Sequence, residues 1–490
     1  MKMLQKLFKA TLLTLLLLLF VQQTPCKAQY SVNNLFGNYT DCDTMTRGIF
    51  IVWWDKDFNY TAQVSELLDT MLRFRNTCLN DLLMADPPNP EDGYYYNVYI
   101  HTPGNAADFF GSYNWGNGQG TDGNGYPFLT LPYFTLTDVS NTAHETFHVF
   151  QYNANSPGYA YTGDSQWYIE GSANWFAGIE TLNEPRAFVE AESLVRLPHV
   201  PLWLSYNNFP AAYPQNWQRY VHQYASALLL YYLTDVAGVP DTMITTGFFS
   251  GTTEKPQEYL FNRIGGSTFR NHFIDWAAHM TNDFDFITPT QRITNLNEWN
   301  WYADPADDNE YSQVYTNSGS GGWYRPHDTL ITNAWSFNTY KLRNSQSETY
   351  TFEIGGDWTG TFGDSTYFQG KVVVQNSISG TSFHDLNMVN NYEGSLSLSL
   401  TASDTAAYFI IASMPEYFAD NNGSFQRFGY NMRISTGVTA NSALEDLEKP
   451  KKEVARYNIL GQPVRREMGG LQIILYNDRT TEKVYVDTQY

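Results

Sequence analysis

The chain has 490 residues, of which 50 are acidic and 29 are lysine or arginine, so its formal net charge at pH 7 is −21. A protein this acidic would not bind nucleic acid through its overall field, and anionic membranes would repel it. Because the chain is too long for one hydrophobic core, we expect two larger domains and a smaller terminal one.

Residues 1–28 have the features of a secretory signal peptide. Three lysines among the first nine residues precede an apolar run from Thr11 to Val21, which is too short to span a membrane comfortably. Cys26 and Ala28 place small residues at both positions that determine cleavage, which predicts Gln29 as the mature N-terminus. Cleavage would remove four lysines and no acidic residue, which changes the net charge to −25. We therefore expect an exported protein with no transmembrane segment in its mature chain.

Strand and helix signals alternate in the region that follows. Strand-like runs occupy residues 48–54 and 94–100, and between them apolar residues recur at helical spacing from Val64 to Leu83. Cys42 and Cys78 remain after cleavage. Two cysteines in an exported protein favour one disulfide, with buried free thiols as the alternative.

The most informative motif is His144-Glu145-Thr146-Phe147-His148. Residues four apart share one face of a helix, so His144 and His148 can both reach one metal ion. Glu145 would then lie beside that ion, where its carboxylate can accept a proton from a bound water. The alternative is that Thr142 and Glu145 form a capping box and that the histidines are ordinary helix residues.

A third metal ligand is available in a second helical pattern, from Trp167 to Trp175. Glu170 lies in this pattern, 22 positions after His148. Two histidines and one glutamate leave the fourth position of a tetrahedral zinc site open for water, which is typical of catalytic sites. The two helices together predict a zinc hydrolase, with peptidase as the favoured activity.

Both stretches resemble the gluzincin metallopeptidases, which include thermolysin-like enzymes and aminopeptidases. That family pairs HExxH with a glutamate on an antiparallel downstream helix, and the resemblance covers roughly residues 140–235. It implies His144, His148 and Glu170 as zinc ligands and Glu145 as the catalytic base. More specifically, the chain resembles poorly characterised secreted bacterial families that join this core to a β-rich C-terminal domain.

The resemblance has further implications and one departure. It implies that residues 128–136 form an edge strand that pairs with an extended peptide. Thermolysin-like members often place an aspartate four residues after the ligand glutamate, where it orients a zinc-bound histidine. Asn174 occupies that position here, and its carbonyl can accept the imidazole N–H without adding negative charge.

A helix predicted from Tyr220 to Leu233 carries two candidate oxyanion donors. In gluzincins a tyrosine or histidine from a following helix or loop donates a hydrogen bond to the developing oxyanion, so the resemblance implies His222 or Tyr224 in this role. Either residue could instead belong to the core of the protein.

Two loops are candidate calcium sites. Residues 116–125 and 304–310 are rich in glycine, asparagine or aspartate, and such oxygen-bearing loops can bind Ca²⁺. Neither loop has the spacing of an EF-hand, so ordinary surface loops are the alternative.

From about residue 320 the pattern changes to short alternating strands with turn residues at intervals typical of a β-sandwich. The predicted strands are residues 331–342, 348–354, 371–375, 395–400 and 407–412. Such a module beside a secreted enzyme can bind glycans or simply pack on the catalytic domain.

The last part of the chain predicts a small β domain after a charged linker at residues 445–452. Strand signals occupy residues 453–459, 471–476 and 483–486. The runs Tyr-Asn-Ile-Leu-Gly-Gln (457–462) and Gly-Gly-Leu-Gln-Ile (469–473) resemble the C-terminal sorting domain of type IX secretion substrates. This resemblance implies the type IX machinery as a partner, with release or anchoring at the surface of a Gram-negative cell. The alternative is a β-meander that completes the preceding domain.

The patterns, with the two resemblances, predict an α+β zincin-like catalytic domain (29–310), an all-β sandwich domain (320–436) and a small β sorting domain (437–490). The predicted function is a secreted zinc-dependent peptidase that acts on proteins or peptides, with Glu145 as general base. One alternative is a peptidase directed at glycoproteins that holds glycan with its sandwich. The other is a non-catalytic adhesin or binding protein on a zincin scaffold. An inactive relative usually loses a metal ligand and none is lost here, which favours the enzyme.

Overall fold

The computed structural model describes the chain in segments. They are residues 42–101, 118–121, 127–161, 165–181, 191–205, 217–282, 284–287, 314–316, 322–326, 330–342, 347–356, 366–418, 426–436, 453–458, 462, 464, 470–476 and 481–486. The predicted signal peptide and the loop at 304–310 lie outside the described residues, as does most of the loop at 116–125. Within the described part of the chain, no helix is long and apolar enough to cross a membrane.

Helices and strands both contribute to the fold. The α-helices are α1 (Thr61–Asn76), α2 (Val139–Gln151), α3 (Gln166–Glu180), α4 (Ala191–Arg196), α5 (Trp217–Ala225), α6 (Ala227–Tyr231), α7 (Asp241–Thr246), α8 (Pro256–Ile264) and α9 (Gly266–Thr281). The first strands are β1 (Cys42–Arg47), β2 (Phe50–Asp55), β3 (Tyr96–His101), β4 (Gly118–Thr121), β5 (Pro127–Pro132), β6 (Val314–Thr316), β7 (Tyr324–Pro326), β8 (Ser336–Leu342) and β9 (Thr349–Gly356). The remaining strands are β10 (Phe368–Asn376), β11 (Gly380–Asp385), β12 (Asn387–Met388), β13 (Glu393–Ser399), β14 (Asp404–Ser413), β15 (Tyr430–Thr436), β16 (Glu453–Asn458), β17 (Gly470–Tyr476) and β18 (Thr481–Val486).

The chain divides into two compact units, and the first is discontinuous in sequence. It comprises residues 1–184 and 226–265, while the second comprises residues 185–225 and 266–490. The first unit is α+β, and the second contains β-sandwich-like sheets with a few helices. This division differs from the predicted boundary near residue 310, because 185–225 and α9 belong to the same unit as the later strands.

The first unit is built on a five-stranded sheet with the order β1-β2-β3-β5-β4. The three inner strands are parallel, and the two outer strands are antiparallel to their neighbours. The predicted edge strand at 128–136 is therefore wrong. Residues 127–132 form β5, which pairs on both sides, and 133–137 form a 3₁₀ turn. The edge strand next to β5 is β4, whose alternating glycines resemble a loop in the sequence.

Three helices pack together in this unit through aromatic contacts. Phe147 of α2 stacks on Phe176 of α3, with ring centroids 4.7 Å apart. Phe74 of α1 meets the same Phe176 edge-on at 5.8 Å. Helix α1 begins near the predicted position but ends at Asn76, and a π-helical turn covers residues 77–81. Burial of these large rings fixes α2 and α3 side by side.

The expected disulfide is not formed. Cys42 packs against the cluster of Trp53 and Tyr99 on one face of the sheet. Cys78 is buried in the turn after α1, close enough to the α3 residue Glu180 to feel its charge. Burial, followed by that charge, raises the pKa of the Cys78 thiol. The two cysteines thus belong to different environments, and the correct alternative from the sequence is the unbridged pair.

The second unit confirms the predicted short strands. Its main sheets have the orders β11-β10-β14-β8 and β12-β13-β9-β15-β7-β6, with all neighbours antiparallel. Phe352 of one sheet packs against Phe409 of the other, with ring centroids 5.5 Å apart, so their inner faces share a core. Residues in the predicted sorting domain form a separate antiparallel sheet, β16-β17-β18.

Candidate metal and catalytic site

Helix α2 carries the HExxH motif and has its own N-terminal cap. The side chain of Asp138 accepts a hydrogen bond from the backbone N–H of Asn141 at 2.9 Å. Thr142 therefore lies inside the helix and is not its cap. The capping-box alternative is wrong, which leaves Glu145 without a capping role.

Helix α3, which carries Glu170, also lies very close to the start of α6. Gly171 follows the ligand candidate, and a β-carbon at that position would lie 2.0 Å from Oγ of Ser226. Only glycine permits this separation between α3 and the start of α6. The backbone next to Glu170 is thereby held on both sides.

Three potential ligand atoms converge where α2 and α3 meet. Nε2 of His144 and Nε2 of His148 are 3.0 Å apart, and they lie 3.4 and 3.5 Å from Oε2 of Glu170. These residues form a group of metal-ligand type whose ligand atoms all lie within 4.8 Å of one another. Tetrahedral zinc with bonds of 2.0–2.1 Å would separate neighbouring ligand atoms by about 3.3 Å. The observed spacing fits such an ion.

The second nitrogen of each imidazole fixes the direction of the first. Nδ1 of His144 donates to Oδ1 of Asn174 at 2.8 Å, and Nδ1 of His148 donates to Oε1 of Gln151 at 2.6 Å. With these protons on Nδ1, both neutral rings present a lone pair at Nε2. Two lone pairs and a carboxylate oxygen then face one another, so a proton or a metal ion must lie among them.

The orientation of Gln151 follows from a further chain of hydrogen bonds. Oγ of Ser172 donates to the carbonyl of Tyr168 at 2.6 Å, and it accepts from Nε2 of Gln151 at 2.9 Å. Nε2 of Gln151 also donates to the carbonyl of Ile169 at 3.1 Å. The amide nitrogen is thus committed to α3, so the amide oxygen must face His148.

The electrostatics of the cluster agree with a site that attracts a cation. Burial of Glu170 would raise its pKa, but hydrogen bonds with His144 and His148 outweigh burial and hold that pKa well below its ordinary value. Burial lowers the pKa of His144, but the bond to Glu170 and the charge of Glu145 prevail and raise it to about 8. Without a metal, the cluster therefore holds a proton at neutral pH.

Glu145 lies beside this cluster and is almost fully enclosed. Only 5% of the surface of Glu145 is exposed. Its negative charge contributes to the raised pKa of His144 and also acts on Tyr96 and Tyr152. A carboxylate held in this position can accept a proton from a molecule bound at the cluster.

Tyr161 adds a hydrogen-bond donor that the sequence did not single out. Its hydroxyl donates to Oε1 of Glu170 at 2.5 Å, while its residue remains 45% exposed. Burial and then the charge of Glu170 raise the pKa of Tyr161, so the phenol keeps its proton at neutral pH. The position is reached through a turn after α2, and no local pattern in the sequence marks it.

A cavity of about 340 Å³ opens beside His148. Tyr152, Pro157, Tyr161 and Ile169 are among its lining residues, and the described lining residues include no acidic, lysine or arginine side chain. The space is of the size and apolar character that hold a side chain or a small ligand.

The family of the chain is known from comparison with other proteins. A model of DUF6055, a family of unknown function, matches residues 29–441. The chain belongs to DUF6055. No protein with curated annotation gives a significant match to this DUF6055 chain.

Two solved structures are similar to a part of the DUF6055 chain. One is a xylan-binding domain from CBM 22, formally the x6b domain, with 15% identity, 27% of this chain and 83% of that chain covered, and a TM-score of 0.17. The other holds the CBM22-1 and GH10 modules of a Clostridium thermocellum endo-1,4-β-D-xylanase complexed with xylohexaose. The sequence identity is 14%, the match covers 27% of this chain and 26% of the xylanase chain, and the TM-score is 0.16. At these TM-scores the likeness carries no weight for function.

The oxyanion candidates of this DUF6055 chain lie in the second compact unit. His222 on α5 is fully buried, with Nδ1 within 2.7 Å of Oγ of Ser193 and Nε2 within 3.1 Å of the carbonyl of Pro201. Both of its nitrogens are thereby occupied, an arrangement typical of a structural histidine. Tyr224 lies on the same helix and is partly exposed. A catalytic role for His222 or Tyr224 stays a prediction.

Proposed function

We propose that this protein is a zinc-dependent peptidase with a zincin-like catalytic region in its first compact unit. The observation that carries the proposal is the convergence of His144, His148 and Glu170 with both imidazoles fixed from behind. Such a set of two histidines and one carboxylate leaves a tetrahedral ion one open position. Structural zinc sites instead fill all four positions with protein ligands.

The chemistry is that of amide hydrolysis by water. When bound, zinc would polarise a water and a substrate carbonyl and stabilise the negative charge that develops on the carbonyl oxygen. Glu145 would accept the proton of the water and deliver it to the nitrogen of the leaving amine, which is general base followed by general acid catalysis. Its burial beside the cluster excludes bulk water that would otherwise compete for that proton.

Two neighbouring features would serve the substrate. The protonated hydroxyl of Tyr161, already at the cluster, could donate to the developing oxyanion. The cavity beside His148 would take an uncharged, predominantly apolar side chain next to the scissile bond, because its described lining residues supply aromatic and aliphatic surface and include no acidic, lysine or arginine side chain.

Export is part of the same proposal. The basic and apolar features of residues 1–28 support a signal peptide, and the sequence of residues 457–473 supports sorting by the type IX machinery. The mature enzyme would be released or held at the surface of a Gram-negative cell and would act on extracellular proteins or peptides. A retired peptidase scaffold that serves as an adhesin is disfavoured, since it would have no need of the enclosed Glu145.

The decisive experiment compares the parent protein with Glu145→Gln. Zinc content is measured by mass spectrometry, and hydrolysis is measured by mass spectrometry on a mixed peptide library. We expect about one zinc per chain in both proteins, with cleavage of the library by the parent only. Glu66→Gln, which changes an exposed carboxylate on α1, is the matched control and should cleave like the parent. Absence of zinc in the folded parent, or undiminished cleavage by Glu145→Gln, would overturn the proposal.

A further inference from the structure

A second concave site lies in the other compact unit, on the outward face of the six-stranded sheet. The cleft has a volume of about 500 Å³. Its floor includes Gly355 of β9 and Gly394 of β13, and Trp323 and Val389 are among the apolar residues of its lining. Alternation along β9 sends Tyr350 and Phe352 into the core, whereas Glu353 and Gly355 lie on the opposite face, where they line the cleft.

Trp323 is held in place at this cleft. The guanidinium of Arg433 lies over its indole ring, 4.9 Å from the centroid. Arg433 is itself anchored by two hydrogen bonds to the carboxylate of Glu353, at 2.5 and 2.7 Å. A stacked, ion-paired arrangement of this kind restricts the indole, so little conformational freedom is lost when a ligand packs against it.

Glycine at position 355 keeps the floor open. A β-carbon built there would meet the Trp323 ring at 4.0 Å, an ordinary contact distance. Any larger side chain would extend across the floor in front of the indole. The site therefore combines a rigid aromatic surface with a floor that lacks side chains.

The polar lining selects against an anion. Glu353, Glu393, Ser395 and Asn431 line the cleft, and no lysine or arginine is among its described lining residues. The nearby cation, Arg433, already pairs with Glu353. Carboxylate, amide and hydroxyl groups together offer acceptors and donors for a neutral ligand that carries many hydroxyl groups.

The backbone of the floor selects against an extended peptide. Strand β9 pairs with β13 and β15 on its two sides, and β13 also pairs with β12. The N–H and C=O groups of these inner strands are used within the sheet. Peptide recognition by strand addition requires a free edge, which these inner strands do not offer at the floor of the cleft.

We propose that this cleft binds a neutral oligosaccharide. A sugar ring would place its apolar C–H face against Trp323 and Val389, while its hydroxyl groups would bond to Glu353, Glu393 and Asn431. The site lies in the second compact unit and does not depend on the peptidase proposal. It would give the protein a means of staying on a glycan-bearing surface or substrate.

The test uses the full-length protein and isothermal titration calorimetry. The probes are the hexasaccharides of cellulose, xylan, mannan, laminarin and chitin. Hexagalacturonate serves as the acidic comparison, and a tryptic digest of casein as the peptide comparison. We expect at least one neutral hexasaccharide to bind, and both comparison probes to bind more weakly or not at all.

Two variants probe the cleft in different ways. Trp323→Ala removes the aromatic surface, and Gly355→Val fills the floor while it retains every polar group of the lining. Each should weaken binding by about tenfold or more. Thr351→Val alters the same outward face of β9 outside the cleft and should bind within about twofold of the parent.

The proposal is overturned by any of three results. The first is a folded parent that binds none of the neutral hexasaccharides. The second is binding that neither Trp323→Ala nor Gly355→Val diminishes. The third is preferential binding of hexagalacturonate or of the casein peptides, which would assign the cleft to an anion or to a peptide.

Discussion

His148 and Gln151 lie three residues apart on α2, and Nδ1 of His148 donates to the amide oxygen of Gln151 at 2.6 Å. The amide nitrogen of Gln151 is bound by Ile169 and Ser172 of α3. One side chain thus joins a candidate metal ligand on α2 to the backbone of the helix that carries Glu170. The geometry of the cluster depends on this link.

Gln151→Met tests that link. Methionine has a similar length but cannot accept the imidazole proton, so His148 is free to rotate and to change its tautomer. We expect the affinity for zinc to fall by about 10- to 100-fold, measured by competition with a chelating dye. Gln151→Glu keeps an acceptor for His148 and should lose less affinity than Gln151→Met. Equal affinity in the methionine variant and the parent would show that the link does not orient the ligand.

Asn174 accepts a hydrogen bond from the imidazole of His144, and a substitution at this position is expected to strengthen zinc binding. Asn174→Asp places a carboxylate behind His144, which makes the imidazole more electron-rich and strengthens its bond to a metal. We expect slower release of zinc to a chelator than from the parent. Asn174→Leu should release zinc faster, because it removes the acceptor. Identical release rates in all three proteins would contradict the role of this hydrogen bond.

Tyr161 is expected to act in turnover and not in metal retention. Tyr161→Phe removes the donor that lies 2.5 Å from Glu170 but leaves the three candidate ligands in place. We expect kcat to fall by about 100-fold with unchanged zinc content. Tyr152→Phe, at another tyrosine that lines the same cavity, is the control and should have a smaller effect. A Tyr161→Phe enzyme with the kcat of the parent would exclude this residue from oxyanion stabilisation.

Gly171 is expected to be critical for stability. In Gly171→Ala the new β-carbon would overlap Oγ of Ser226, so the free energy of unfolding should fall by about 1–3 kcal/mol. Zinc affinity should fall with it, because the adjacent Glu170 must shift. Ser226→Gly removes the obstructing side-chain atoms. Gly171→Ala should therefore lower the free energy of unfolding less in the Ser226→Gly protein than in the parent. A double-mutant cycle by urea denaturation measures this coupling.

His222 should make the second unit sensitive to acid. Burial lowers the pKa of His222 to about 4, although its bond to the Pro201 carbonyl opposes the shift. In the unfolded chain this histidine has a pKa near about 6.5, so the unfolded state takes up the proton first as the pH falls. Neutral His222 therefore makes its full contribution to the free energy of unfolding above about pH 6.5. That contribution is lost progressively as the pH falls towards 4, by about 3 kcal/mol in total.

His222→Gln should reduce that acid sensitivity. The measurement is the urea midpoint at pH 7.5, 6 and 5, and we expect a shallower dependence on pH than in the parent. His384→Gln removes a partly exposed histidine from the same unit and should retain the slope of the parent. If His222→Gln and the parent lose stability in parallel, another group controls the acid response.

The candidate metal ligands could be predicted because their relationship is largely local. His144 and His148 share a helix face through a spacing of four, and this holds wherever α2 lies in the fold. The strand signals of β8, β9, β10, β13 and β14 are likewise local, and each of these strands overlaps the range that the sequence predicts for it. Helix α1 and strand β3 were predicted for the same reason.

Other features depended on residues that are distant in the sequence. Gly118 and Gly120 lie in the edge strand β4, which the sequence presents as a loop, because this strand forms by pairing with β5. Neither the environments of Cys42 and Cys78 nor the discontinuous first unit could be read from periodicity. In each case the outcome was set by which neighbour another segment supplied.

The sequence by itself therefore determined the chemical types at the candidate metal site, their spacing on α2 and the β character of the C-terminal half. The resemblance also implied Asn174 behind one imidazole, and its amide oxygen does lie 2.8 Å from Nδ1 of His144. Only the tertiary structure decided how Gln151 and Tyr161 surround those groups, and how Trp323 meets a glycine floor in the sandwich. The reason is physical. Periodicity reports which side of an element faces the core, whereas hydrogen bonds and cavities depend on contacts between elements that no local pattern encodes.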